Sequence, residues 1–211
     1  MMRATLLAIA LLAAPVAAGP VEDTTARLET QWAQVNYGPK TAQGPGFDAL
    51  IAAADALVKR YPARAEPLVW RGVAQVYKAG VVGGMTGFGL VKSARRDLQA
   101  AEKIDPVAAN GLGLSQLGTL YYQVPGFPIA FGDRGLAARY LARALQVAPN
   151  SLAAQLAYGD FLVTGGKFTK AEPVLLAALR LPPRADQPVA DRGRRAEVEA
   201  LLVQVRAKLT K

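Results

Sequence analysis

The chain contains neither cysteine nor histidine, and these two absences exclude several kinds of chemistry. Without cysteine there is no disulfide, no thiol nucleophile and no attachment through a lipid-modified cysteine, so the core alone must hold the fold. Without histidine, the commonest general base and metal ligand is missing. We therefore expect a binding protein rather than an enzyme, and we expect no cofactor.

Aromatic residues and long apolar segments are also scarce. Aromatic side chains make up 7% of the 211 residues, whereas hydrophobic residues together make up 52%. Small and aliphatic side chains at this density favour closely packed helices, and the chain is long enough to bury a core. Beyond residue 18, no run approaches the ~18 consecutive apolar residues of a membrane-spanning helix. We predict a single all-α domain over residues 21–211.

Residues 1–18 have the pattern of a secretory signal peptide. Arg3 supplies an early positive charge, an apolar segment follows, and the small residues Val16 and Ala18 suit a cleavage site. An uncleaved anchor or a buried first helix is the alternative, but the apolar segment is short and ends at Pro15. We predict export to the periplasm with cleavage near Ala18.

Basic residues outnumber acidic ones, and the net charge is +9. Such an excess could attract anionic lipid, cell-wall polymer, an acidic partner or nucleic acid. Export disfavours nucleic acid, and the basic residues lack the interleaved aromatics that would stack bases. We expect no nucleic-acid partner and place most arginines on solvated helix faces.

Three segments repeat one pattern of small residues, a leucine and a terminal proline. The copies are Ala94, Leu98, Ala101 and Pro106; Ala137, Leu141, Ala144 and Pro149; and Ala171, Leu175, Ala178 and Pro183. The helix before each copy has a glycine, at Gly72, Gly118 and Gly159, where two helices would approach closely. Such hairpins bury their apolar faces only by stacking on one another. The units resemble tetratricopeptide (TPR) repeats, and we predict a TPR-like α-solenoid of antiparallel helix hairpins.

This arrangement divides the chain into five predicted parts. They are an N-terminal helix pair over 21–62, repeats over 65–106, 108–149 and 151–183, and a capping helix over 189–209. Segments rich in glycine or proline interrupt the pattern, and we predict loops at 37–46, 80–89 and 124–131. The capping helix is expected to expose a charged face that includes Arg192, Arg194 and Arg195.

In a stack of this kind, the first helices of the repeats line a concave groove. The candidate ligand- or partner-binding residues on these helices are Val73, Tyr77, Thr119, Tyr122 and Asp160. The insert over 123–133 adds Phe127 and Phe131, large apolar side chains that must be either buried or occupied. An apolar small ligand is one expected occupant of the groove. The alternative is that the groove is inter-helix core and that the insert folds over its own repeat as a plug.

Asp133 and Asp160 could in principle form a catalytic carboxylate pair. However, Asp133 follows Gly132 at a helix start, where a carboxylate caps free backbone N–H groups. The segment over 84–93 ends in Lys92-Ser93, but two residues separate this lysine from the last glycine. A phosphate-binding loop needs the lysine directly after that glycine, so we do not predict nucleotide binding.

The segments YYQVPGFPIAFGD, ARYLARAL, YGDFL and ADQPVADRGRRAEVEALL together resemble the T component of TRAP transporters, the TatT family. The resemblance runs from about Trp70 to the C-terminal helix. It implies a periplasmic helical protein that forms oligomers, holds a ligand in a cavity and associates with the transporter's solute-binding subunit. The chain departs from that family in lacking the lipid-anchor cysteine. The alternative function is a cell-envelope scaffold that binds protein segments or cell wall through its basic final helix.

Overall fold

The computed structural model describes residues 19–210, so the predicted signal peptide lies outside the described residues. Residues 19–210 form nine α-helices and one short 3-10 helix at Ala108–Gly111, and no β-strand occurs among them. The α-helices are α1 (Pro20–Asn36), α2 (Lys40–Arg60), α3 (Ala65–Val82), α4 (Gly84–Ile104), α5 (Leu112–Gln123), α6 (Arg134–Val147), α7 (Leu152–Thr164), α8 (Phe168–Arg180) and α9 (Pro188–Leu209). The all-α prediction is confirmed. None of these helices is both long and apolar enough to cross a membrane.

Two segments that were predicted to be loops are largely helical. Helix α2 begins at Lys40, and only Gly83, with a φ of 59°, separates α3 from α4. The loop predictions for 37–46 and 80–89 are therefore wrong over most of their lengths. Glycine lowers intrinsic helix propensity by about 1 kcal/mol, but here it also permits close packing. A Cβ on Gly46 would lie 2.7 Å from the Val35 side chain, and one on Gly87 would lie 2.8 Å from the Ala79 carbonyl oxygen.

The segment 124–131 lies in the connection between α5 and α6, as predicted. Two backbone hydrogen bonds hold the base of this connection, from Gly132 N–H to the Pro125 carbonyl (2.8 Å) and from Asp133 N–H to the Tyr121 carbonyl (2.7 Å). The Asp133 carboxylate accepts hydrogen bonds from the N–H groups of Gly135 (2.7 Å) and Leu136 (2.9 Å). Asp133 therefore caps α6, which is the role that its position predicts.

The pairs α3/α4, α5/α6 and α7/α8 share one packing arrangement. The repeated alanines and leucines of the second helices are all 0–1% exposed. In each pair the leucine lies against the glycine of the first helix, as Leu98 on Gly72, Leu141 on Gly118 and Leu175 on Gly159. A Cβ would lie 2.7 Å from the leucine Cγ at Gly72 and 2.5 Å from it at Gly118, distances that real side chains do not adopt. We call these three contacts the glycine–leucine contacts.

The odd-numbered helices form an inner ring, and the even-numbered helices lie outside it. Helix α1 packs on α3, α3 on α5, α5 on α7 and α7 on α9, and α9 returns to contact α1. Each outer helix packs between two neighbours of the ring, so that α4 contacts α3 and α5, and α8 contacts α7 and α9. Helix α9 therefore closes the ring, whereas a capping helix would leave one face free.

The expected basic face of α9 is reduced, because Arg194 and Arg195 are engaged within the fold. Arg194 is 6% exposed and binds Glu29 of α1 at 2.7 Å. Arg195 binds Asp191 at 2.6 Å and donates to the carbonyls of Leu179 and Leu181 at 3.1 and 2.7 Å. Arg192 is exposed, as predicted, and so are Arg206 and Lys208 near the end of the same helix.

The glycine–leucine contacts give a direct test of the packing. We expect Gly118→Ala to lower the free energy of unfolding by about 1–3 kcal/mol, because the new methyl group overlaps Leu141. Leu141 is 0% exposed and has no room to move aside. Gly89→Ala is the matched control, because Gly89 lies in α4 with nothing within 4 Å of its Cβ position. This change should raise stability by about 0.5–1 kcal/mol. Equal effects of the two substitutions in denaturant unfolding would contradict the packing argument.

Candidate functional site

The inner ring surrounds a cavity of about 520 Å³. Its wall contains residues from all five ring helices, with Trp32 from α1 and Leu201 from α9 at the point of closure. Five of the seven candidate residues line it, namely Val73, Tyr77, Thr119, Tyr122 and Asp160. The structure thus brings together the candidates from the first helices of the three repeats, and the groove between them is open rather than filled.

One side of the cavity is an apolar and aromatic wall continuous with the core. Val73 is 1% exposed and Trp32 is 2% exposed, so the surrounding core packs tightly around both side chains. Tyr77 packs edge-on against Trp32, with 5.2 Å between ring centroids, and stacks on Phe47 at 5.8 Å. Burial, followed by the negative charge of Glu197, raises the pKa of Tyr77 to about 12. This hydroxyl is therefore neutral at physiological pH and is available as a hydrogen-bonding group.

A hydrogen bond between neighbouring ring helices forms part of the polar wall. Tyr122 of α5 donates its hydroxyl to the carboxylate of Asp160 on α7. Burial raises the pKa of Tyr122, and the negative charge of Asp160 raises it further. Tyr122 also packs edge-on against Phe161, with 5.5 Å between ring centroids. The phenol and the carboxylate are thus held together as one rigid polar group.

Helix α9 supplies two charged residues that were not predicted to belong to the site, Arg194 and Glu197. The Arg194 guanidinium lies 4.7 Å from the centre of the Trp32 ring and binds Glu29. Glu197 lies one helical turn further along, and burial raises the pKa of its carboxyl. The three- and four-residue spacing of Arg194, Glu197 and Leu201 places them on one helix face. The spacing alone does not show that this face closes a ring.

A second hollow, of about 390 Å³, lies beside the cavity. It is lined by earlier residues of the same five helices, such as Glu22 of α1, Glu66 of α3 and Asp191 of α9. The two spaces share Leu112, Ala153 and Arg194 in their walls. Because every ring helix contributes earlier residues to the hollow and later residues to the cavity, the five ring helices run in the same direction.

The remaining candidates, Phe127 and Phe131, do not line the cavity. Phe127 is 92% exposed, so it neither plugs its own repeat nor covers the ligand space. Phe131 packs against Tyr121, with 5.7 Å between ring centroids, and lies 4.0 Å from the Arg95 guanidinium. The physical reason is helical geometry. Tyr121 and Tyr122 are about 100° apart around α5. Tyr122 lines the cavity, whereas the buried Tyr121 stacks on Tyr140 of the outer helix α6, and Phe131 packs against Tyr121.

A scan against protein-family models gives no match to this chain, and a search of curated proteins gives none either. The functional argument therefore rests on the geometry of the cavity. Its walls combine aromatic and aliphatic surface with a few fixed polar groups, which is the usual composition of a small-molecule site. The arrangement suits binding of an amphipathic molecule.

The ion pairs of α1 and α9 predict how the closed ring is stabilised. Glu29→Ala leaves the buried Arg194 without its carboxylate partner, and we expect the free energy of unfolding to fall by about 3 kcal/mol or more. The matched control is Asp186→Ala. Asp186 also pairs with Arg184, which binds Glu29, but its side chain is 67% exposed. The control should cost about 0–1 kcal/mol. Denaturant unfolding of both variants measures the difference, and a Glu29 variant as stable as the control would refute this account of closure.

Proposed function

We propose that this protein is an exported, periplasmic binding protein that holds an amphipathic or largely apolar small molecule inside its helical ring. The observation that carries the proposal is the cavity of about 520 Å³, lined by five of the residues selected as binding candidates. Sites for small molecules commonly have volumes of about 300–1,000 Å³ and mostly apolar walls. The phenol–carboxylate pair of Tyr122 and Asp160 supplies the polar contact that orients a ligand.

The architecture that we propose is a TPR-type repeat array closed by its last helix. Three successive helix pairs with the same glycine–leucine contact support the repeat assignment. The division into inner and outer helices supports it too, because the first helix of each repeat faces the concave side of such an array. The contact between α1 and α9 supports closure of this concave side into a ring around the cavity.

We further propose a protein partner, the solute-binding subunit of a TRAP-type transporter, which meets the connection between α5 and α6. Phe127 and Ile129 are 92% and 76% exposed on this connection. Apolar side chains displayed together in this way commonly mark a contact surface. The hydrogen bonds at the base of the connection hold these side chains on a defined support.

A cell-envelope scaffold that binds through the basic face of α9 is the second candidate, and it has less support. The hypothesis needs several free arginines on one face. Arg194 and Arg195 are engaged within the fold, the first with Glu29 and the second with Asp191 and two carbonyl groups. The charge that remains exposed on this face is therefore smaller than the sequence indicates.

Filling the cavity tests the binding function. Ala157 lines the cavity on α7, and Ala157→Trp should weaken binding of the neutral fluorescent probe N-phenyl-1-naphthylamine by about tenfold or more, equivalent to about 1.4 kcal/mol. Ala49→Trp is the matched control, because Ala49 is exposed on the outer helix α2. Fluorescence titration compares the three proteins. If both variants bind the probe equally well, the probe binds outside the cavity. Failure of the parent protein to bind the probe would count against the proposed binding function.

Replacing the exposed side chains tests the partner contact. The double substitution Phe127→Ser and Ile129→Ser should abolish recovery of the solute-binding subunit from a native periplasmic extract, because it removes the apolar contact surface. Both side chains are exposed, so the fold should be unaffected. Val203→Ser is the control, since Val203 is 70% exposed on α9, away from the connection. Undiminished recovery of the subunit by the double variant would exclude this surface as the contact.

A further inference from the structure

The charge of the cavity is opposite in sign to that of the chain. Basic residues dominate the protein as a whole, with a net charge of +9. The acidic and basic side chains that line the cavity are Asp160, Glu197 and Arg194. Two carboxylates thus face one guanidinium, and this guanidinium already belongs to another network.

That network is balanced without the cavity carboxylates. Arg194 binds Glu29 at 2.7 Å, Glu29 also binds Arg184 at 3.0 Å, and Arg184 binds Asp186 at 2.8 Å. Two arginines therefore neutralise two carboxylates. In the described residues 19–210, neither Asp160 nor Glu197 forms an ion pair with a basic side chain. The cavity retains two negative groups that the fold does not neutralise.

Asp160 lies close enough to Glu197 for its negative charge to act on that carboxyl group. Asp160 is on α7 and Glu197 is on α9, which are neighbouring helices of the inner ring. The charge of Asp160 contributes to the raised pKa of Glu197, after burial as the main cause. Asp160 is half-buried and Glu197 remains partly open to solvent. A carboxylate that is partly removed from water without a cation is destabilised, and a cation in the cavity would relieve this cost.

Aromatic rings surround the same space. Tyr77 and Tyr122 line the cavity, and Trp32 lines it with its ring already in contact with the Arg194 guanidinium. The electron-rich faces of such rings attract cations, most strongly ammonium groups that have left water. Carboxylates and aromatic rings that line one cavity are the chemistry that recognises an organic ammonium ion, whereas a carboxylate or phosphate head group would be repelled.

We propose that the cavity selects an amphipathic organic cation, with its ammonium group at Asp160 and Glu197 and its apolar body along the aliphatic wall. Val73, Leu156 and Leu201 provide this aliphatic wall. The inference rests on the proposed function, because it assigns a ligand class to the same cavity. Hydrophobic burial supplies affinity for the body of the ligand, and charge complementarity supplies the choice of head group.

Three probes with the same alkyl chain and different head groups test this proposal, namely decylammonium, decanol and decanoate. Isothermal titration with the unmodified protein at neutral pH should give the tightest binding for decylammonium, about tenfold or more over decanol, and the weakest for decanoate. This comparison requires no variant, so its result does not depend on the folding of a mutant.

Charge-removing variants then locate the selectivity. Asp160→Asn and Glu197→Gln should each reduce the preference for decylammonium over decanol at least severalfold, because each removes one carboxylate from the cavity wall. Glu199→Gln is the matched control, because Glu199 is exposed on the same helix and is not among the residues that line the cavity. The control should keep the full preference. A preference unaltered by both cavity variants would overturn the assignment of these carboxylates.

The outcomes separate the two proposals. Equal binding of decylammonium and decanol, or tightest binding of decanoate, would overturn the cation preference and leave the ligand-binding function standing. Failure of all three probes to bind the unmodified protein would count against the binding function and against this inference with it. Tight binding of decylammonium that is lost in Asp160→Asn or Glu197→Gln, but kept in Glu199→Gln, is the supporting result.

Discussion

The close approach of leucine to glycine in three successive helix pairs is the constraint on which the rest of the structure depends. Leu98, Leu141 and Leu175 are all 0% exposed, and each occupies the space that a side chain on the partner helix would fill. This contact brings each outer helix close to its inner partner. The first helices of the pairs are then free to contact one another on the opposite side, where they line the cavity.

Closure of the ring makes a row of helix pairs into the wall of a cavity. Helix α9 packs against α7 and α8 and also against α1, and the buried pair of Arg194 and Glu29 joins the two ends of the chain. The same closure sets the chemistry of the cavity. Closure pairs Arg194 with Glu29 of α1. It also brings Glu197 towards Asp160 and Tyr77, and burial together with neighbouring charges raises the pKa values of Glu197 and Tyr77. Stability and ligand preference therefore depend on one set of contacts.

The sequence-based predictions succeeded mainly where a feature depends on residues that are close together in the sequence. The inward direction of Val73, Thr119 and Tyr122 depends on helical periodicity, which is local, and these residues do line the cavity. The glycine-rich segment 80–89 was assigned to a loop because glycine is a poor helix former, yet packing of Gly87 against Ala79 outweighs that preference. Phe127 was expected either to plug its own repeat or to lie at the ligand because it is large and apolar, but it is 92% exposed, and Phe131 of the same connection packs on Tyr121.

By itself, the sequence determined the all-α class, the repeated small-residue contacts, the cap at Asp133 and the identity of most groove residues, because each of these depends on spacing within one helix or hairpin. Only the tertiary structure decided that α9 meets α1 and that Arg194 is buried rather than solvated. It also decided that, among residues 19–210, two carboxylates line the cavity without forming an ion pair. The contact that closes the ring joins Glu29 and Arg194, which are 165 positions apart. No local pattern encodes such a contact, because it follows from the accumulated curvature of all the intervening helix pairs.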